Sequence, residues 1–548
     1  MAAFGSSLSR RKFLLLSGSV VSLPLLAACS STPSAPPAGT PAPTAAGTQP
    51  QVPKRGGSLV SAWTWTYPTL DPHLSTMAGN LHGFEAIFNS LVRFELVNAE
   101  TWEHKVVGDL AESWEQPDLQ TVVFKLKQGI KFHDGSDLTA EVAAWNLLRT
   151  RDHPKAYLKA QMAIVDSATA KDKHTLEVKL KAPNAGFIRS LAFPGTNVPI
   201  ASKAAFDKNG EEWMQRNAVG TGPFKFKQWV TDDRLIMERN PEYHENGADG
   251  KPLPYLDEFV SRYIPDATVS LTDMRAGTVH VLQALLAKDV ASVKADPNMV
   301  VVEQPWAGEV WFFGGFNVDK PPFNDVRVRQ AALYGIDREG MAAALGFGIG
   351  VPYYYGEWAR GAPGYDESIK KYEYNPAKVK ELLAEAGYPN GIEIELKVIA
   401  REPENTIGEF VQQMWTNVGI KTRLVAQERL SWIDAVRAKN FDTCFWRGGF
   451  SYTSVDPDTA VTRITCGSPG NWAQWCDADV DRLMKEGAAV ADPAQRHEIY
   501  KRVLTILQEK AYLYSGINVP MVQAYRKEVK GLFYNFSLPD VRAAWLDT

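Results

Sequence analysis

The sequence lacks the short motifs that mark energy-coupling proteins and common hydrolases. It contains no Gly-x-x-x-x-Gly-Lys-Ser/Thr phosphate loop and no Gly-x-Ser-x-Gly nucleophile elbow. Asp456 and Asp458, which could form a carboxylate pair, flank a proline and are typical of a turn. We therefore expect a protein that is not an enzyme, with an exported hydrolase as the alternative that no motif supports.

Long apolar runs and clustered positive charge are also scarce. Beyond residue 28 no stretch approaches the ~20 apolar residues that cross a bilayer. The net charge of −4 argues against nucleic acid as a partner, because nucleic acid rewards a basic surface. The nine histidines are scattered, and the closest pair, His73 and His82, lacks a metal-binding spacing. We expect no bound metal and no cofactor.

The N-terminus is predicted to be processed. Residues 1–28 combine a cationic start, an apolar run and small residues, as export signals do. Ser9 to Leu14 resembles a twin-arginine motif, and Leu26 to Cys29 resembles a lipobox in which Cys29 would be lipidated. A plain signal peptide with a chance cysteine is the alternative. Residues 29–55 are rich in Pro, Ala, Ser, Thr and Gly, which predicts a flexible tether.

Cysteine is rare in the remaining chain. Cys444 lies in the apolar run FDTCFW and is predicted to be a small buried residue. Cys466 and Cys476 bracket GSPGNWAQW, and outside the cytoplasm this pair favours a disulfide. The alternative, a zinc site, would need further Cys or His ligands nearby, and the sequence offers none.

Strands are predicted where apolar and polar residues alternate. Residues 121–132 suggest a hairpin that turns at Gly129, and residues 174–183 suggest another strand. Residues 56–72 alternate as well and predict a strand with one face formed by Leu59, Ser61, Trp63, Trp65 and Tyr67.

Helices are predicted between the strands. Residues 138–151 have helical spacing with Asp137 as the N-cap, and residues 376–388 form an amphipathic helix that precedes a strand. The mixture indicates an α/β protein. The segment His133-Asp134-Gly135 lies between these elements and favours a tight turn over a general acid–base histidine, because no nucleophile or second ligand is nearby.

Several sequence blocks, in this order, carry a family resemblance. They are LDPH at 70–73, FEAIFNSLVRF at 84–94, GDLAESWEQPDLQTVVFKLKQGIKFHDGSDLTAEVAAWNL at 108–147, GTGPFKF at 220–226, ERNPEYH at 238–244, PYLDEF at 254–259, NDVRVRQAALYGIDRE at 324–339 and RKEVKGL at 526–532. The chain resembles the extracytoplasmic solute-binding proteins of peptide- and nickel-type ABC importers (bacterial solute-binding protein family 5).

The resemblance implies a two-lobed, periplasmic-binding-protein-like α/β fold of the hinged type II, with an extra subdomain inserted in lobe one. Lobe one would comprise residues 56–80, 200–312 and 516–548, and the inserted subdomain residues 81–199. Lobe two would comprise residues 313–515. The chain would cross between the lobes near residues 310–319 and 514–520.

The ligand site would lie between the lobes. Aromatic rings that bind flat or apolar groups with little loss of entropy are the main candidates, although core packing explains any single tryptophan better than binding does. Gly449 stands where peptide-binding members of the family carry an aspartate for the peptide amino terminus. Arg447 could instead bind a carboxylate or phosphate, and an arginine in a surface ion pair is the alternative. The predicted ligand-binding residues are Trp65, Tyr67, Trp358, Trp446, Arg447, Phe450 and Trp472.

By resemblance, the chain would be a monomeric substrate-binding lipoprotein on the periplasmic or extracellular side of the cell membrane. It would capture a peptide or a related small solute and deliver it to an ABC permease driven by separate ATPase subunits. A sensory protein that presents its ligand to a receptor is a further alternative.

Overall fold

The computed structural model describes residues 52–75, 83–98, 103–356, 358–448, 456–468, 470–535 and 538–548. Within those ranges the side chains of 305–312, 447–448 and 535 are not described. The export signal, Cys29 and most of the tether lie outside the described residues. No helix in the described part of the chain is both long and apolar enough to cross a membrane.

The described residues form these strands: β1 (Ser58–Trp63), β2 (Val92–Asn98), β3 (Glu103–Gly108), β4 (Ala111–Asp118), β5 (Thr121–Leu126), β6 (Val165–Asp172), β7 (Thr175–Leu180), β8 (Phe224–Val230), β9 (Arg234–Arg239), β10 (Glu258–Tyr263), β11 (Val281–Leu282), β12 (Met299–Phe316), β13 (Val351–Pro352), β14 (Ile392–Ile399), β15 (Ile420–Gln427), β16 (Thr443–Gly448), β17 (Leu513–Ser515), β18 (Ile517–Arg526), β19 (Val529–Lys530), β20 (Phe533–Asn535), β21 (Leu538–Asp540) and β22 (Trp545–Leu546).

They also form these helices: α1 (Phe84–Ile87), α2 (Ala140–Asp152), α3 (Lys159–Met162), α4 (Phe187–Ala192), α5 (Lys203–Asn209), α6 (Glu211–Met214), α7 (Ala267–Arg275), α8 (Val290–Lys294), α9 (Val326–Tyr334), α10 (Arg338–Leu345), α11 (Pro376–Glu385), α12 (Glu404–Asn417), α13 (Arg429–Arg437), α14 (Val461–Ile464), α15 (Ala478–Ala488) and α16 (Pro493–Lys510). Two 3-10 turns span Ala287–Asp289 and Pro457–Ala460.

The largest sheet has two halves joined at its centre. Its order is β15-β14-β16-β12-β18-β11-β1-β10-β9-β8, with β17 paired to β12 and β13 to β18. The long strand β12 pairs with β18 from Met299 to Gln304 and again at Glu309 and Val310. It pairs with β16 at Val310 and with both β16 and β17 from Phe313 onward. We call the region where β12 changes partner, Gln304 to Phe313 with Ile517 to Met521 of β18, the sheet junction.

The register slips within the junction. Gln304 pairs with Met521 and Glu309 pairs with Val519. Four residues therefore lie between the paired positions on β12, and Pro520 alone lies between them on β18. The slip is an irregular bulge confined to β12. The two strands that connect the halves therefore differ in length across the same gap.

A separate antiparallel sheet lies outside this arrangement. It has the order β4-β5-β7-β6, and its core also takes in Leu147 of α2 and Phe187 of α4. The half of the large sheet that contains β14 to β16 has its own cores, which include Trp415 and Tyr500. The domain boundaries predicted from the sequence stay predictions.

Several predicted elements are confirmed. The strand at 174–183 is β7, and the helix at 376–388 is α11, which starts after the Asn375 cap and precedes β14. The strand predicted at 56–72 is shorter, because its parallel neighbour β10 ends at Tyr263 and Trp63 is the last paired residue. Trp65 and Tyr67 therefore follow β1 and are not part of it.

Two local predictions are wrong. Gly129 does adopt a positive φ of 77°, but β5 forms its hairpin with β4, and its other antiparallel neighbour is the distant β7 and not the segment directly after Gly129. Asp137 does not cap α2. Its carboxylate pairs with Lys131 and Lys173, and the Thr139 hydroxyl accepts the Val142 N–H at 3.3 Å. Two nearby lysines attract the acid away from the helix start.

Candidate functional site at the sheet junction

The topology brings the carboxyl ends of parallel strands from both halves to the sheet junction. In one half β1 runs parallel to β10 and β11, and Gln283, directly after β11, receives a hydrogen bond from Gln523 of β18. In the other half β14 runs parallel to β15 and β16, and β16 ends where Gly448 pairs with Val310. Open α/β sheets bind ligands outside such strand ends. The junction is therefore the candidate site.

Two of the predicted aromatic residues follow β1 toward this edge. Trp65 is 50% exposed, which is unusual for so large an apolar ring. Tyr67 is buried, stacks on Phe84 with ring centroids 5.7 Å apart and shares a 2.8 Å hydrogen bond with the Ser261 hydroxyl. Burial raises the pKa of Tyr67 well above its usual value. Trp65 is free to contact a ligand, whereas Tyr67 supports the wall behind it.

Trp446 lies on β16 next to the junction. Its ring packs against Phe313 of β12 with centroids 4.9 Å apart, and the residue is 6% exposed. Its Nε1–H is buried and meets no acceptor among the described residues. A buried donor without a partner costs about 1–3 kcal/mol, so it is a group that a bound acceptor would stabilise.

Trp358 belongs to the same hydrophobic core as Trp446, and Trp472 packs against that core, but no described ring contact or hydrogen bond joins either of them to Trp446. Trp358 is buried and donates its Nε1–H to the Pro363 carbonyl at 2.9 Å, as a core residue would. Trp472 packs on Trp432 at 5.5 Å and lines a separate cavity of about 410 Å³ beside Lys439. The side chain of Arg447 and all of Phe450 lie outside the described residues, so their predicted roles stay predictions.

The cysteines of this half have distinct environments. Cys466 and Cys476 are joined by a disulfide with Cα atoms 4.5 Å apart, which closes the loop that carries Trp472. Cys444 is a free thiol, fully buried in β16. Burial raises the pKa of the Cys444 thiol, so it stays protonated and unreactive.

A row of glutamines at the junction was not predicted from the sequence. Gln304 donates to Gln523 at 2.8 Å, and Gln523 donates to Gln283 at 3.3 Å. All three side chains are buried. The row ends in a Gln283 N–H and a Gln304 carbonyl that have no partner in the described part of the chain. It therefore offers one donor and one acceptor without a net charge.

Charged groups lie beneath this row. Glu85 of α1 borders a cavity of about 20 Å³ together with Gln283, Phe259 and Arg542. Burial, with repulsion from Asp540 as the next cause, raises the pKa of Glu85 to about 8. Glu85 is therefore mostly protonated at neutral pH, and this wall of the junction is less negative than its residue types suggest.

One described cluster has the donor types of a metal site. Ligand atoms of Asp109, His244 and Glu245 lie within 4.8 Å of one another. However, Arg93 and Arg542 both pair with Glu245, at 3.1 and 3.2 Å. These arginines place positive charge where a cation would bind, and the arrangement fits an ion-pair network better than a metal centre.

The turn at His133 is a structural connection. Asp134 accepts the Ser136 N–H at 3.0 Å, and Gly135 adopts a φ of 82°. The His133 ring accepts the Gly220 N–H at 3.3 Å and bonds the Gly222 carbonyl at 3.0 Å. Burial lowers its pKa to about 4. A neutral ring with both nitrogens occupied by main-chain groups is not available for acid–base chemistry.

Comparisons with known proteins agree with this architecture. A model of bacterial extracellular solute-binding proteins, family 5 (middle part), matches residues 105–471. The di/tripeptide-binding protein 1 of Pseudomonas aeruginosa is 30% identical over 81% of this chain and 86% of its own length. The heme-binding protein A of Haemophilus influenzae is 29% identical over 78% of this chain and 80% of its own length.

Solved structures share the fold. The structure of HbpA2 from Haemophilus parasuis superposes with a TM-score of 0.76 at 25% identity and covers 90% of this chain and 100% of its own. The fold is therefore that of the periplasmic binding proteins, and the named relatives bind ligands and are not enzymes. The extent of the family match and the identity to these relatives show that the chain belongs to family 5 of the bacterial extracellular solute-binding proteins.

Proposed function

We propose that the chain is the substrate-binding lipoprotein of an ABC importer. It captures a peptide or a related small solute between two lobes and delivers it to a membrane permease. The observation that carries this proposal is the convergence of strand ends from both halves on one junction that holds buried, unpaired hydrogen-bonding groups. The names of its relatives support a peptide or a compact solute as cargo.

The two connecting strands supply the hinge in this proposal. Among the described strands of the large sheet, β12 and the β17–β18 segment are the ones that join the halves, so a rotation there would move one half against the other. A ligand that contacts both halves favours the closed form in proportion to its extra affinity for that form. Trp65 and the glutamine row would contact it from one half, and Trp446 with Arg447 and Phe450 from the other.

The chemistry of the junction favours a ligand with neutral donors and acceptors. The free ends of the glutamine row and the Trp446 N–H are complementary to the carbonyl and amide groups of a peptide main chain. In this proposal Arg447 binds a terminal carboxylate in a bidentate manner. Trp358 and Trp472 stay candidates for contacts made after closure.

Lipidation of Cys29 would keep the protein near the membrane, with residues 29–55 as the tether. The hydrolase alternative has no support from the relatives, which are binding proteins. A sensory protein would use the same site, and a permease that copurifies with the tethered protein would distinguish import from sensing.

The test is a binding panel with the purified protein without its export signal. Tri-alanine, glutathione and hemin are titrated by calorimetry, and each solute is recovered and weighed by mass spectrometry. We expect at least one small solute to bind at a 1:1 ratio and to be recovered unchanged. Chemical turnover, or no binding by any member of a wider panel of peptides and peptide-sized solutes, would contradict the proposal.

A further inference from the structure

The four-stranded sheet is attached to the half of the large sheet that contains β1, because Val219 packs against the cores of both. The start of its helix α4 touches the other half at a buried acid pair. Phe187 and Ile188 of α4 belong to the core of the four-stranded sheet. Asp456 and Asp458 lie beside Ala460 and Tyr500, which belong to a core of the half that contains β16. The contact therefore links the core of the four-stranded sheet to a core of the half that contains β16.

Main-chain groups make this contact from the α4 side. The Gly186 N–H donates to the Asp458 carboxylate. The preceding residue, Ala185, donates its N–H to the carbonyl of Ala488 at 2.9 Å. Two adjacent amides thus bond to two elements of the opposite half, α15 and the turn at Pro457–Ala460.

Gly186 is needed here for closeness and not for backbone freedom. Its φ and ψ of −83° and −6° are open to every residue type. A Cβ at this position would lie 2.8 Å from the Asp456 Cγ and 2.9 Å from the nearest carboxylate oxygen of Asp458. Any side chain would push the two halves apart, and glycine alone allows the approach.

The acid pair is held in place by its own half. Arg496 of α16 donates to both oxygens of Asp456, at 2.8 and 2.7 Å, and to Asp458 at 3.0 Å. The Tyr500 hydroxyl also donates to Asp458. Arg496 is shared between the two buried acids, and Arg189 of α4 adds positive charge near Asp456, so the Asp458 carboxylate gains from the extra donor that Gly186 provides.

We propose that the contact of Gly186 with Asp456 and Asp458 is a latch that stabilises the closed form of the protein. This inference rests on the proposed hinge motion between the halves. Because no described contact joins the latch residues to the sheet junction, the latch adds the same free energy to closure for every ligand. It lowers the dissociation constant of all ligands by one common factor and leaves their ratio unchanged.

The test uses Gly186→Ala and Gly186→Val in the protein without its export signal. Ser190→Ala is the matched control on the same helix, because the Ser190 hydroxyl bonds within its own half, to the Phe187 carbonyl at 2.7 Å. Asp366→Asn is the control on the opposite half, where Asp366 pairs with Lys501 of α16. Dissociation constants are measured for tri-alanine and glutathione, and the radius of gyration of the ligand-free protein by X-ray scattering.

We expect both Gly186 variants to bind each probe at least tenfold more weakly, with the ratio of the two constants as in the wild type. Their radius of gyration without ligand should exceed that of the wild type and of both controls. Urea unfolding of Gly186→Ala should remain one cooperative transition, with the free energy of unfolding lowered by no more than the latch contributes, about 1.4 kcal/mol for a tenfold effect. This milder variant decides the matter if Gly186→Val does not fold.

Affinities within twofold of the wild type together with an equal radius of gyration would overturn the latch. A change in the ratio of the two probes would also overturn it, because it would place Gly186 in the ligand site. If the wild type binds neither probe, the proposed choice of ligand fails, and the scattering comparison alone still decides whether the latch exists.

Discussion

Trp446 offers the sharpest test of the site, because its ring and its N–H have separable roles. The ring is packed against Phe313 in a core, so Trp446→Ala should destabilise the protein by about 3–5 kcal/mol and would not isolate binding. Trp446→Phe keeps an aromatic ring against Phe313 and removes only the N–H and part of the indole. It is the informative substitution.

The expected effect of Trp446→Phe on stability and on affinity depends on whether the Trp446 N–H has a hydrogen-bond partner. Without ligand it is buried and unpaired, which costs about 1–3 kcal/mol, and its removal offsets the packing lost with the smaller ring. We therefore expect the free energy of unfolding of the ligand-free protein to change by less than about 1 kcal/mol. If a ligand accepts this hydrogen bond, the loss of about 0.5–1.5 kcal/mol on binding weakens affinity roughly two- to tenfold.

Urea unfolding and calorimetric titration of the panel member that binds measure the two quantities. Trp432→Phe is the matched control, since the Trp432 N–H bonds the Lys397 carbonyl at 3.3 Å inside the same core. It should lower stability and leave affinity unchanged. If Trp446→Phe behaves like this control, Trp446 is a core residue and the junction loses its main contact from the second half.

Three further predictions concern stability. The pKa of Glu85 is raised from 4.5 to about 8 in the folded protein, so the folded state holds a proton that the unfolded state releases between about pH 4.5 and 8. The free energy of unfolding should therefore fall by up to about 1.4 kcal/mol for each unit that the pH rises across that window. Glu85→Gln should remove this fall, and the same dependence of the free energy of unfolding on pH in both proteins across about pH 5–9 would refute the prediction. Replacing Cys466 and Cys476 by serine should lower the free energy of unfolding by about 2.5–3 kcal/mol, as expected for a closed loop of this length, with no change in ligand affinity; a melting temperature equal to that of the wild type would contradict this. Thr139→Ala should cost about 1 kcal/mol through the lost cap, while Asp137→Ala should cost less, and the reverse order in urea unfolding would restore Asp137 as the cap.

The sequence was sufficient for elements whose pattern is local. β7 and α11 follow from alternation and helical spacing, and the turn at His133 follows from its Asp-Gly pair, because the forces that shape these segments act between near neighbours. Asp137 shows the limit. Its type suits a helix cap, but Lys173, distant in sequence, attracts it elsewhere.

The site was less accessible for a similar reason. Trp65 and Trp358 are the same residue type in aromatic segments, yet one is half exposed and the other is buried with its N–H bonded, and only the tertiary arrangement separates them. Gln283, Gln304 and Gln523 come from three segments that are distant in sequence, and they show no local pattern. The family resemblance supplied the architecture, whereas the hydrogen-bonding groups of the junction required the assembled sheet.

Because of the register slip in β12, the two connections between the halves differ in how far they can extend. β18 spans the distance between the two paired positions without extra residues, while β12 has additional backbone there that can extend or fold. We expect β18 to act as the pivot and β12 to change its extension during the rotation, so that the halves turn about an axis displaced toward β18. Deleting the additional residues of β12 would then restrict the two halves to a single opening angle.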